Sequence, residues 1–293
     1  MAAPVSCLVV PGTSERMLAK ARGIDVGEVV IDLEDAVVPE RKAEARVAAA
    51  AALAEGAFRA AAVSVRVNAC GTPWVREDLV ALALAERPPD SVVVPKVEGP
   101  ADLAFVDRVL DEAQAAASVG MPVATQALVE TAKGVRELHG IASASPRLGA
   151  LVLGYADLAV SLGRSRAAAA DLDRWLALQD AVLVAARAAG LRAIDGPWLA
   201  IHDERGLHAA ATRAADLGFD GKWAIHPSQL ETIVAAFTPP PEDVAHAEAV
   251  LEALRRSGGE GAVSLDGEMV DEPVRLAALR VLARTGRDAD GLG

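Results

Sequence analysis

Apolar positions along this chain follow two alternating rhythms. Short runs rich in valine, isoleucine and leucine recur at intervals of roughly 30 residues, the length of a strand plus a crossover helix. They are VSCLVV (5–10), VVIDLED (29–35), VSVRVN (63–68), SVVVPKVE (91–98), VATQALVE (123–130), ALVLGYAD (150–157), RAIDG (192–196) and GKWAIHP (221–227). Between them lie alanine-rich stretches with a 3.6-residue apolar period, the mark of amphipathic helices. Strand then helix, eight times over, predicts a (β/α)8 TIM barrel, whose chemistry gathers at the C-terminal ends of the strands.

The helical period predicts helices over residues 14–22, 40–55, 76–86, 101–116, 131–143, 175–189 and 204–217. Ser14 or Thr13 is placed to cap the first after the Pro11-Gly12 turn, the fifth opens at Thr131, and the seventh follows Asp203. Residues 161–174 read as a longer connection after the sixth strand, of a kind that orders on binding. A helix after Pro227 completes the barrel, giving a catalytic domain over residues 1–238. Pro239-Pro240-Pro241 then breaks the chain. Beyond it come an amphipathic helix stopped by Gly258-Gly259, a hairpin turning at Asp266-Gly267, and a last helix with Pro273 near its start. This appendix, residues 239–293, is expected to cap its own barrel or to reach a neighbouring subunit.

Length and composition agree with a single barrel: the chain has 293 residues, and the fold takes about 250. Hydrophobic residues make up 52% of the chain but aromatics only 3%, so the core is built from small and branched side chains. The net charge of −12 argues against a nucleic-acid partner, which needs a basic footprint. It leaves room for a phosphorylated ligand, because Arg16, Lys20 and Arg22 form a local basic cluster. No apolar run is long enough to span a bilayer and no leader pattern opens the chain, so a soluble, cytoplasmic protein without a membrane partner is expected. Cys7 and Cys70 match no metal or redox spacing and read as buried thiols.

The strand ends carry Asp32, Glu34, Asp35, Arg66, Asn68, Lys96, Glu130, Asp157, Asp195 and His226. Glu130 and Asp157 end adjacent strands, and two neighbouring carboxylates suit Mg2+; each can equally cap the helix that follows its strand. In the DLED run, strand alternation puts Asp32 and Glu34 on one face and Asp35 on the other. These three either support the metal from a second shell or bond to backbone amides and nearby lysines. Arg66 interrupts an apolar strand, which calls for a partner: an internal carboxylate, or the carboxylate or carbonyl of a substrate. Lys96 suggests a Schiff-base nucleophile, but so many carboxylates favour an ion pair. His226, before Pro227, reads as structural. Arg16 and Lys20, four residues apart, share a helix face that meets either a phosphate or solvent.

Taken in order, VPGTSERMLAKA, VIDLEDAVVPERKAEAR, VRVNACGTPW, VVVPKVEGPAD, ALVETAKGV, LGYADLAVSLG, AIDGPWL, GFDGKWAIHPSQ and GEMVDEPV resemble the citrate lyase β-subunit-like family of CoA-ester lyases. This is a branch of the HpcH/HpaI aldolase/citrate lyase superfamily that includes malyl-CoA and citramalyl-CoA lyases. The resemblance implies a Mg2+-dependent lyase that splits a 3-hydroxy-3-carboxyacyl thioester, reversibly, into an acyl-CoA and a 2-oxo acid. It implies that Glu130 and Asp157 bind the metal, that Arg66 binds the oxo acid, and that Arg16 and Lys20 meet the CoA phosphates. It further implies that Asp271 is a catalytic acid/base delivered by an adjacent subunit of a homotrimer or hexamer. Without the resemblance, Asp271 reads as a carboxylate capping the last helix. The same site on an acyl-carrier-protein thioester, as in the β subunit of a citrate lyase complex, is the alternative. A barrel that binds ligand without catalysis is the third reading.

Overall fold

The computed structural model describes residues 5–117, 122–257 and 262–285. Eight parallel strands close into a barrel: β1 (Ser6–Pro11), β2 (Glu28–Asp32), β3 (Ala62–Arg66), β4 (Ser91–Val94), β5 (Ala124–Val129), β6 (Leu148–Leu153), β7 (Arg192–Asp195) and β8 (Gly221–Ala224). Each pairs with the next in chain order, and β8 returns to β1 with Trp223 opposite Cys7. The expected barrel is borne out. Around it run α1 (Glu15–Arg22), α2 (Lys42–Glu55), α3 (Val75–Ala83), α4 (Pro100–Ala117), α5 (Ala132–Arg136), α6 (Leu138–Ala142), α7 (Tyr155–Ser161), α8 (Arg166–Ala170), α9 (Leu176–Ala188), α10 (Glu204–Leu217) and α11 (Leu230–Phe237). Alanines on their inner faces, such as Ala45, Ala49 and Ala52 of α2, are buried and let the helices lie close to the sheet.

Strand alternation stacks the barrel interior in layers. Cys7, Val30, Val93, Leu128, Val152, Ile194 and Trp223 form an apolar middle layer. Two residues toward the strand starts, Glu28, Ser91 and Gln126 face inward, and with Ser64 of β3 they bond to one another. Two residues beyond Val30 and Leu128 come Asp32 and Glu130, and two beyond Ser64 comes Arg66, all on the parity that points them into the barrel mouth. Except on β3, the apolar layer therefore lies between a polar network at the base and a second polar set at the rim.

Several local expectations need correction. The sixth strand ends at Leu153, and Asp157 lies not on it but in the first turn of α7, which starts after Gly154. The apolar run carries straight into this short helix, which hides the boundary. The helix expected over residues 131–143 is two, because the backbone tightens at Glu137, whose N–H bonds to both Gly134 O and Lys133 O. The connection expected over residues 161–174 holds α8, capped by Ser165, and most of a 3-10 turn, Leu172–Trp175, capped by Asp171. Ser14, rather than Thr13, caps α1, while Thr131 and Asp203 cap α5 and α10.

The chain divides into two compact units, with the boundary between Ile233 and Val234. The second contains α12 (Pro241–Arg256), a hairpin of β9 (Val263–Leu265) and β10 (Glu268–Val270), and α13 (Glu272–Arg284). Asp266 and Gly267 turn the hairpin with φ of 50° and 88°, the signature of a type I′ turn. Its own core joins Ala247, Val250, Leu251, Val270, Ala278 and Leu282. Gly258-Gly259, expected to stop α12, lie outside the described residues. Among the described residues no helix is long and apolar enough to cross a membrane.

Candidate active site

The DLED run turns as soon as β2 ends, and Asp32 makes the turn. Its Oδ1 accepts the N–H of Glu34 at 2.9 Å and its Oδ2 that of Ala36 at 3.2 Å. Lys42, buried under Trp74, secures the run from behind by donating to Leu33 O at 2.9 Å and Glu34 O at 2.8 Å. The turn brings Glu34 and Asp35 to the same partner, Lys96, so the opposite faces expected for them from strand alternation do not apply.

Arg66 is gripped on two sides. Its Nε and Nη2 donate to the two oxygens of Asp32 at 2.7 and 2.6 Å, and its Nη1 lies 3.0 Å from Glu34 Oε2. The guanidinium also stands over the Trp223 ring, 5.8 Å from its centroid. Burial opposes its charge, and the fork onto Asp32 more than offsets this. The arginine is thus both paired and fixed in direction at the barrel mouth.

Lys96 has left-handed backbone, φ 51°, uncommon for a residue with a side chain. This lets one residue serve the cluster twice. Its N–H donates to Glu130 Oε1 at 3.0 Å, while its ammonium bonds to Glu34 and lies 3.3 Å from Asp35 and 3.0 Å from Asp157. Burial lowers the affinity of Lys96 for its proton, but Glu34 and Asp157 hold it above its usual value. It is an ion-paired ammonium, not the neutral amine a Schiff base requires.

Glu130 is the strained member. Only 4% exposed, its carboxyl is pushed from 4.5 up to about 8, first by burial and then by the charges of Glu34 and Asp157. It is packed against Gly154, where an added Cβ would stand 2.6 Å from Glu130 Oε2, so only glycine leaves the carboxylate its place. Burial also raises Glu34, less so because Arg66 and Lys96 face it.

The remaining candidates turn elsewhere. Asn68 donates to Asp78 Oδ2 at 2.6 Å, anchoring α3. Asp195, beside the inward Ile194, faces outward and pairs with Lys222 at 2.5 Å and with the Tyr155 hydroxyl. His226 caps the turn Pro227–Gln229, accepting the N–H of Ser228 at 3.2 Å. Arg16 and Lys20 line a separate cavity of about 340 Å3 with Pro11, Met17 and His226. Asp271 belongs to the second unit and caps α13. Lys42, which braces the DLED turn, carries no sequence signal, because it acts on backbone carbonyls eight and nine residues earlier rather than on a patterned side chain.

An eight-stranded parallel barrel with carboxylates, an arginine and a lysine gathered at its strand ends is the layout of a barrel enzyme. The chain belongs to the HpcH/HpaI aldolase/citrate lyase family, whose model matches residues 6–227. It is 38% identical over 282 residues to a (3S)-malyl-CoA thioesterase of Cereibacter sphaeroides, covering 95% of this chain and 93% of the relative. It is 35% identical over 279 residues to an L-malyl-CoA/beta-methylmalyl-CoA lyase of the same species, covering 89% and 86%. Among solved structures, it is similar to protein CitE of Mycobacterium tuberculosis in complex with magnesium, acetoacetate and coenzyme A. That likeness has a TM-score of 0.79 and 34% identity, and covers 98% of this chain and 99% of the other.

Proposed function

We propose that the chain is a Mg2+-dependent carbon–carbon lyase that cleaves a malyl-, citramalyl- or citryl-type CoA thioester, reversibly, into an acyl-CoA and a 2-oxo acid. The observation that carries this reading is the charge imbalance at the rim. Asp32, Glu34, Asp35, Glu130 and Asp157 converge there against Arg66 and Lys96. A divalent cation would relieve the imbalance, and the donors fit Mg2+: they are hard oxygens with no histidine or cysteine among them. Mg2+ takes one or two protein carboxylates and completes its shell with water and substrate oxygens. Glu130 and Asp157 are the residues that would hold it. Named relatives support the reading, one a malyl-CoA lyase and another a magnesium, acetoacetate and coenzyme A complex.

Bound there, Mg2+ would supply Lewis-acid polarisation of the substrate oxygens. Arg66, immobilised by Asp32 and Glu34, binds the carboxylate and emerging carbonyl of the oxo acid without reorganising. In cleavage the hydroxyl loses its proton as it becomes the carbonyl, the C–C bond breaks, and the electron pair passes to the thioester enolate. A proton must return to that carbon, and we assign this to Asp271, presented by an adjacent subunit of a homotrimer or hexamer. Arg16 and Lys20 take the CoA phosphates.

With Mg2+ present, malyl-CoA should yield acetyl-CoA and glyoxylate, and a panel of such thioesters showing no cleavage refutes the proposal. Turnover confined to a citryl thioester on an acyl carrier protein would mark a citrate lyase β subunit instead. Identity with the thioesterase favours a second reading, hydrolysis of the thioester bond. Its products are malate and a free CoA thiol, which a thiol reagent detects and the lyase does not release. Mixing inactive Arg66→Ala and Asp271→Ala proteins should restore activity if the two residues meet across an interface.

A further inference from the structure

Apart from the rim, the barrel unit holds a cavity of about 390 Å3 on the outer side of the sheet, where β6, β7 and β8 end. Its floor is polar. Lys222 and Asp195, each 1% exposed, form an ion pair; the Lys222 ammonium also donates to Gly196 O at 2.6 Å, and Gln179 donates to the Tyr155 hydroxyl at 2.8 Å. The ion pair leaves the floor without net charge, and Gln179 Oε1 and the wall's Trp198 Nε1 are buried without a hydrogen-bond partner among the described residues. The walls are apolar, made by Ala169, Ala170, Leu172 and Trp175 on one side and by Trp198 and Leu199 on the other. Leu199 stays 55% exposed at the mouth, an apolar side chain left uncovered. Arg166 completes the lining, exposed and with no ion pair or hydrogen bond from its side chain among the described residues.

We infer that this cavity is a second ligand site, which takes a small monocarboxylic acid with a short apolar chain. The volume lies within the range of small-molecule pockets. The alanine, leucine and tryptophan walls match an alkyl chain, and the unpaired guanidinium matches one carboxylate. A phosphate or dicarboxylate is a poorer match, because the cavity's other cation, Lys222, is already neutralised by Asp195. The site lies against α7: Tyr155, which lines it, is two residues before Asp157 on that helix. Its ring is wedged between the edge of Trp175, 4.8 Å between centroids, and Gly196, where an added Cβ would come within 2.9 Å of it. The site does not depend on the lyase reading.

The probe is hexanoate, titrated calorimetrically into the full chain, with 1-hexanol as a control of equal chain length. Hexanoate should bind saturably and at least tenfold more tightly than hexanol. Arg166→Ala should weaken hexanoate about tenfold, or about 1.4 kcal/mol, without affecting hexanol. Ala170→Phe, on an exposed helix face, should fill the cavity and weaken both. Arg66→Ala should leave hexanoate binding unchanged. The inference is overturned if hexanoate does not bind, if hexanol binds as well, or if Ala170→Phe is without effect. Loss of hexanoate binding in Arg66→Ala but not in Arg166→Ala would place the acid at the rim and overturn it equally.

Discussion

Replacing Glu130 with glutamine tests the electrostatics of the rim directly. Folding moves this carboxyl from 4.5 to about 8, which at about 1.36 kcal/mol per pH unit is worth on the order of 5 kcal/mol. The sign follows from proton linkage. Because the folded value is raised, the contribution of Glu130 to stability is full below pH 4.5 and is lost progressively up to about pH 8. Glutamine keeps the shape and an oxygen for the N–H of Lys96 but never ionises. The metal-free Glu130→Gln protein should therefore gain stability over wild type by several kcal/mol between pH 5 and pH 9. Mg2+ should stabilise wild type, most strongly at the alkaline end, and leave the variant unmoved. Urea unfolding followed by tryptophan fluorescence reads this out well, since Trp74, Trp175, Trp198 and Trp223 all lie in the barrel unit. Parallel pH profiles for the two proteins in EDTA would refute the argument, as would an undiminished response of the variant to Mg2+.

Lys96→Met removes an ammonium 3.0 Å from Asp157, so calorimetry should show Mg2+ bound about tenfold more tightly, near the usual strength of a single screened charge pair; weaker binding would mean that Lys96 is a strut rather than a competitor. Gly154→Ala puts a methyl group 2.6 Å from Glu130 Oε2, and should cost about 1–3 kcal/mol of stability while abolishing the Mg2+-induced rise in melting temperature. Asp195→Ala leaves the Lys222 ammonium buried without its carboxylate, a loss of about 3–5 kcal/mol in urea unfolding, most of which Lys222→Met should restore in the double variant.

The barrel was legible because its strands are buried on both faces and so read as unbroken Val/Ile runs, set apart by alanine-rich helices. The same property hid α7: GYADLAVS continues the apolar run, and a seven-residue helix shows too few turns to establish a period. At the rim, alternation put Asp32 and Glu34 on one face but failed for Asp35, and it did not say which side chains meet. Arg66 was visible as a charge that needs a partner, yet the choice of Asp32 and Glu34 depends on a turn closed by Asp32 itself and fixed by Lys42. Lys96 reaches four carboxylates only because its backbone is left-handed, a conformation no pattern of residue types foretells for lysine. Asp271 followed from family resemblance alone, and its cap on α13 is what local sequence already suggested.

Comparison of two glutamates inside the one barrel shows what separates structure from function here. Glu28, 1% exposed, lies in the basal layer and is met by donors on every side: Ser64, the Gln126 amide at 2.5 Å and the Cys7 thiol at 3.4 Å. Glu130, nearly as buried and four residues along the strand from Gln126, has one backbone N–H at 3.0 Å and is repelled by two carboxylates. A buried carboxylate of the first kind is complete, and a cation offered to it must first displace its donors. One of the second kind gains from any cation that reaches it, so the protein stores part of its potential stability as affinity for a ligand. Exchanging the two environments, by giving Glu130 its own donors, should make a more stable barrel that no longer binds metal.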